Sequence, residues 1–226
     1  MSSLDENKNQ VKVRRRVQER TEIARSKLIE AATPMFAEQG FDAISVRDIE
    51  NAAGVKRGVL SYHFGTKDEL WREATNALFN PLITALGQRL EILRDLSSRE
   101  RVALLIRFHV RYYAENPLLS RLMSQEARQN TWRIAYLSQH YVGPSVAEVK
   151  KHIADELELT QIEFAHWYYI MVSASATIFS FESECEKLFG FNPRTEEAIE
   201  RHANMLVAML LKPVSAKSRN KENNDE

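Results

Sequence analysis

Apolar residues along this chain recur at intervals of three and four, and no segment alternates with period two, so the pattern predicts helices throughout. The first spans about Thr21 to Gln39, with Ile23, Leu28, Ala31, Ala32, Met35 and Phe36 as its inward stripe and Gly40 as a left-handed cap. Pro34 removes one helical hydrogen bond, which predicts a kink near Glu30. Ser45, with Asp48 three positions on, starts a second helix from Val46 to Ala53 that stops at Gly54. A short helix from Arg57 to Phe64 follows. Another begins near Thr66, where Asp68 and Glu69 suit the first turn.

Helix, tight glycine turn and short helix form the helix-turn-helix arrangement, whose second member lies in the major groove of DNA. Lys56 and Arg57 stand at the amino end of that second member. An arginine there can grip guanine O6 and N7 bidentately, for about 1–3 kcal/mol of discrimination. Gly58 lets the backbone approach the sugar-phosphate chain, while Leu60 and Phe64 turn inward. Tyr62 and His63 offer donors to phosphates, and Lys67 adds charge beside a helix amino end. Ser45, Arg47 and Ser61 complete the expected DNA-binding set.

Farther along, Asn80-Pro81 interrupts an apolar pattern that resumes at Leu82, Leu86, Leu90 and Leu93. Ser97 with Glu100 opens a helix that Asn116-Pro117 ends. Gly143-Pro144 is a second break. Thr160 caps a long helix expected to reach Phe189, with small residues at its centre. The last helix, Thr195 to Leu211, carries Ile199, Ala203, Leu206 and Leu210 on one stripe and Met205 with Met209 beside it.

Charge changes the picture only locally. The 226-residue chain has 31 basic and 31 acidic residues, yet Lys8, Lys12, Arg14, Arg15, Arg16, Arg20, Arg25 and Lys27 are opposed only by Glu19 and Glu22. The resulting expectation is a basic flexible arm over residues 1–20, suited to phosphates. Residues 213–226 form a polar tail expected to be disordered. The single cysteine, Cys185, excludes an intramolecular disulfide framework and a thiolate-built zinc site. With no membrane span and no secretion signal in the pattern, a cytoplasmic protein is expected.

The stretch "FAEQGFDAISVRDIENAAGVKRGVLSYHFGTKDEL" resembles the amino-terminal domain of the TetR/AcrR family of bacterial transcriptional regulators. Phe36, Gly40, Ser45, Val46, Ile49, Ala53-Gly54-Val55, Gly58, His63-Phe64, Lys67 and Leu70 carry the likeness, over residues 21–75. It departs at Ser61, where a tyrosine is usual, and at Glu50, where a small residue is usual and only local packing is expected to change. The resemblance implies an all-α fold and a helical effector-binding and dimerisation domain over residues 76–212. It further implies a homodimer through the last two helices that binds a palindromic operator as a repressor and is released by a small molecule.

Among the middle helices, polar and aromatic groups within apolar stripes mark an expected effector cavity: His109, Tyr112, Tyr113, Gln125, Glu126, Trp132, Tyr136, Trp167 and Met171. Neither an enzymatic role nor a cofactor is expected. The competing readings are a DNA-organising protein without an effector and a helical-bundle metal enzyme. The latter rests on the single Glu163-x-x-His166 step, and no second such step exists. Cys185 has no partner cysteine for a redox role.

Overall fold

The computed structural model describes residues 3–92 and 95–211, with side chains from residue 18 onward except 154 and 155. Every regular element among them is helical. The expected tail at 213–226, Leu93 and the side chains of the basic arm up to residue 17 lie outside the described residues.

Contacts divide the chain into two compact units. One holds the described residues up to 82 together with 121–134. The other holds 83–120 and the described residues from 135 onward.

The first unit contains α1 (Ser3–Gln39), α2 (Val46–Ala52), α3 (Val59–Phe64) and the start of α4 (Lys67–Ile92). Its core is Leu28, Ala32 and Phe36 of α1 with Ile49, Leu60, Leu70 and Trp71, all fully buried. Helix α1 begins at Ser3 instead of near Thr21, so helical backbone occupies most of the stretch expected as a flexible arm. Residues 3–20 contain no proline or glycine and are rich in Arg, Lys, Glu and Gln, which favour helix. Ile23, expected inward, is exposed. Helix α4 continues through Asn80-Pro81; Phe79 and Leu82 are buried on either side of the missing hydrogen bond.

In the second unit α5 (Ser98–Glu115) packs against α8 (Gly143–Leu157), α9 (Gln161–Ser180) and α11 (Glu196–Leu210). Ser97 with Glu100 and Thr160 with Glu163 form the capping boxes that start α5 and α9. Helix α6 (Pro117–Glu126) straddles the division between units, as does α7 (Trp132–Leu137), which runs into a π-helical turn (Ser138–Val142).

Two expected boundaries move. Gly143-Pro144 does not break the chain, because a side chain at 143 would meet the Ser138 carbonyl oxygen at 2.7 Å. Glycine is what allows the π turn to feed α8. The long helix ends at Ser180 instead of Phe189, and Phe181 links it to α10 (Glu182–Phe189). The hydroxyls of Thr177 and Ser180 donate to the carbonyls of Ser173 and Ala176, a local competition that bends helices.

Candidate nucleic-acid interface

The turn between α2 and α3 is built from local hydrogen bonds. Ser45 Oγ accepts the Asp48 amide at 3.2 Å, and Asp48 Oδ2 accepts the Ser45 amide at 2.9 Å. The Ser45 hydroxyl and then the Ser45 amide, both donating to Oδ2, hold the exposed Asp48 carboxyl below its ordinary range. Gly54 (φ +65) turns the chain out of α2, and Gly58 (φ +87) turns it into α3. Left-handed backbone costs other residues about 1–2 kcal/mol, so Gly58 is required by its own conformation.

Glu50 was expected to matter for local packing only, and the structure corrects this. The residue is 3% exposed, and its Oε1 accepts the amides of Gly58 at 2.8 Å and Leu60 at 3.0 Å. Helix α3 is thus capped from α2. The signal in the sequence was a carboxylate at a position where a small residue is usual, eight residues before a glycine without a side chain to cap with.

Around this frame Arg47, Lys56, Arg57, Gly58, Ser61 and Tyr62 are exposed, and His63 is half-buried. Tyr62, at 78% exposed, stands edge-on to the His63 ring at 5.1 Å between centroids. Among the described residues, no carboxylate pairs with Lys56 or Arg57. Leu60 and Phe64 are buried, as their apolar character predicts. The Ser45 hydroxyl is engaged in its own cap, donating to Asp48 at 2.6 Å.

Lys67 also departs from expectation. Its ammonium donates to the Ile44 carbonyl and lies 4.1 Å from the centroid of the Phe41 ring. Burial lowers its pKa, with Asp42 opposing that effect. It therefore closes the loop before α2 instead of standing ready for a phosphate. Replacing Lys67 with Met should lower the stability of the first unit by about 1–3 kcal/mol, the combined scale of a charged hydrogen bond and a cation–π contact. Thermal unfolding tests this; an unchanged midpoint with a reduced salt slope of DNA binding would return Lys67 to the phosphate set.

The nine residues expected around an effector fall in both units. Gln125, Glu126 and Trp132 belong to the first unit. There Gln125 Nε2 donates to the Glu38 carbonyl at 3.3 Å, Glu126 pairs with Arg133 at 2.8 Å, and Trp132 stands edge-on to Trp71. His109, Tyr112, Tyr113, Tyr136, Trp167 and Met171 lie in the second unit. His109, Tyr113, Trp167 and Met171 are buried there, and Tyr136 stacks on His140. The Trp167 indole N–H is buried without a hydrogen-bond partner. A recess of about 550 Å³ at the start of α9 is lined by Thr160, Gln161, Ile162, Ala165 and His166, none of them in the expected set.

Burial holds the His109 imidazole below its ordinary 6.5, against the opposing bond from Nδ1 to the Leu105 carbonyl at 2.8 Å. The unfolded chain therefore takes up this proton at a higher pH than the folded one. The stability contributed is complete above about 6.5 and is lost as pH falls below it, by at most about 1.4 kcal/mol per unit. Urea unfolding of the second unit between pH 7 and 5 should show this slope, and His109→Leu should flatten it.

Glu163 serves as the capping partner of Thr160, whose amide it accepts at 2.9 Å. Cys185 is buried, with Sγ 4.0 Å from the Phe191 carbonyl oxygen.

Among the described residues, a glycine-turned, cation-tipped short helix on an all-helical frame defines the helix-turn-helix class of fold. Residues 28–74 match the profile described as bacterial regulatory proteins, tetR family, so this stretch is similar to the amino-terminal domain of that family. Over 130 residues it is 25% identical to the HTH-type transcriptional repressor KstR2 of Mycobacterium tuberculosis, a match covering 51% of this chain and 65% of that repressor. The fold is similar to the probable transcriptional regulatory protein RHA5900, with TM-score 0.58 and 19% identity, covering 83% of this chain and 96% of that one. It is also similar to the regulator FadR of Bacillus subtilis, solved with stearoyl-CoA, with TM-score 0.61 and 14% identity, covering 83% and 97%. No described helix is long and apolar enough to cross a membrane.

Proposed function

We propose that this chain is a ligand-responsive transcriptional regulator of the cytoplasm, a repressor that binds a palindromic operator as a homodimer and leaves it when a small molecule binds. The observation that carries this reading is the exposed rim of Arg47, Lys56, Arg57, Ser61 and Tyr62 on a buried, glycine-turned frame. Arg57 reads a base edge, while Lys56, Arg47, Tyr62 and His63 hold phosphates and set the register. Support for self-association through α9 and α11 comes from their large exposed apolar side chains: Ile162, Tyr169 and Ile170 on one, Met205 and Met209 on the other. The effector site is assigned to the second unit, around His109, Tyr113, Trp167 and Met171, where a buried indole N–H awaits an acceptor. Effector binding favours a state whose two heads no longer match successive major grooves, about 34 Å apart.

Mapping the genomic sites occupied by the full chain tests the reading. Few sites, each with two-fold symmetry, are expected, and a fraction of cell metabolites should release the protein from them. Uniform occupancy with indifference to every fraction would instead make it a DNA-organising protein.

A further inference from the structure

We propose that Glu50 is the positioning residue of the recognition helix: it sets the angle at which α3 is presented to DNA without touching DNA itself. This rests on the DNA-binding reading above. Helix α3 has six residues, far below the roughly 12–15 at which an isolated helix becomes marginally stable in water. It starts at a glycine in left-handed conformation, which brings no side chain to its amino end. The Leu60 residue is fully buried, so an unbonded amide there would be costly.

One buried oxygen answers both needs, accepting Gly58 at 2.8 Å and Leu60 at 3.0 Å, and it comes from α2, not from α3. The short helix is therefore tied to its neighbour at the end where Lys56 and Arg57 enter. A carboxylate also suits the positive pole of a helix. Because Glu50 already occupies that pole, the amino end of α3 is closed to a DNA phosphate. Register must then come from exposed side chains, and sequence selectivity depends on the tie.

The experiment uses the full chain. Duplexes are enriched from a random-sequence pool by the wild type. Affinity is then measured for an enriched and a mixed-sequence duplex with wild type, Glu50→Gln and Glu50→Ala, at a temperature where all are folded. Glutamine keeps an acceptor at the same reach and should stay within about threefold of wild type; alanine should lose about tenfold on the enriched duplex and little on the mixed one, the loss of preorganisation. Amide exchange at Gly58 and Leu60 should quicken in Glu50→Ala only. If Glu50→Ala does not fold, Glu50→Asp, one methylene short of both amides, replaces it with the same expectation.

Wild-type selectivity in the acceptor-less variant overturns the proposal alone, as does equal loss in Glu50→Gln and Glu50→Ala. A wild type that enriches no duplex overturns the DNA-binding reading and this proposal with it.

Discussion

Replacing Arg133 with alanine is expected to lower the unfolding free energy of the first unit by about 3–5 kcal/mol, the cost of stranding a buried charge. Arg133 and Glu126 are 6% and 2% exposed. The Arg133 Nε donates to Glu126 at 2.8 Å, another guanidinium nitrogen donates to Asp42 at 3.2 Å, and the group lies 4.4 Å from the centroid of the Phe41 ring. Removing the arginine leaves the Glu126 carboxylate in a dry site with no counter-charge. Neighbouring contacts give the pair its place. Arg121 meets Glu38 at 3.1 Å, and Trp132 stands 5.2 Å from Trp71 between centroids. Together they fasten residues 121–134 to the helix-turn-helix unit, although Arg121 and Glu38 lie 83 positions apart in sequence. Denaturant unfolding followed by tryptophan fluorescence measures the loss. The apolar pair Glu126→Leu with Arg133→Met should recover most of it, since a packed hydrophobic replacement is often neutral. If the single variant is as stable as wild type, the ion pair contributes nothing.

The second large effect concerns recognition. Arg57→Ala should cost about 1–3 kcal/mol per half-site, hence about 2–6 kcal/mol for a dimer on its operator, concentrated at one base position in each half. Lys56→Ala should instead weaken every duplex alike and reduce the salt slope by about two in a dimer, one phosphate being lost per protomer. Arg57 is fit for the first role because it is exposed, immediately precedes the turn into α3, and has no described carboxylate partner. Binding isotherms at several salt concentrations, on the enriched duplex and its single-base variants, separate the two behaviours. Equal losses on all sequences from both substitutions would refute this division.

Local signals in the chain were enough for the all-helical class, the helix caps at Ser45, Ser97 and Thr160, the buried Leu28, Ala32, Phe36 and Leu60, and the exposed cationic tip. Each depends on residues within about one or two helical turns, and short-range spacing encodes such features directly. Tertiary structure decided the rest. Proline at 81 and Gly143-Pro144 read as breaks, but a helix continues when neighbouring packing and a π turn compensate. Lys67 and Glu126 read as groups available to a ligand, and each has a partner within the protein: the Ile44 carbonyl, 23 positions away, and Arg133, itself linked to Asp42, 91 positions from it. Glu50 read as a packing change because its partners are backbone amides eight and ten positions away; the unusual carboxylate signalled a role, but only the fold identified those partners. Periodicity reports which face of a helix is buried; which polar group meets which acceptor is set only when distant segments come together.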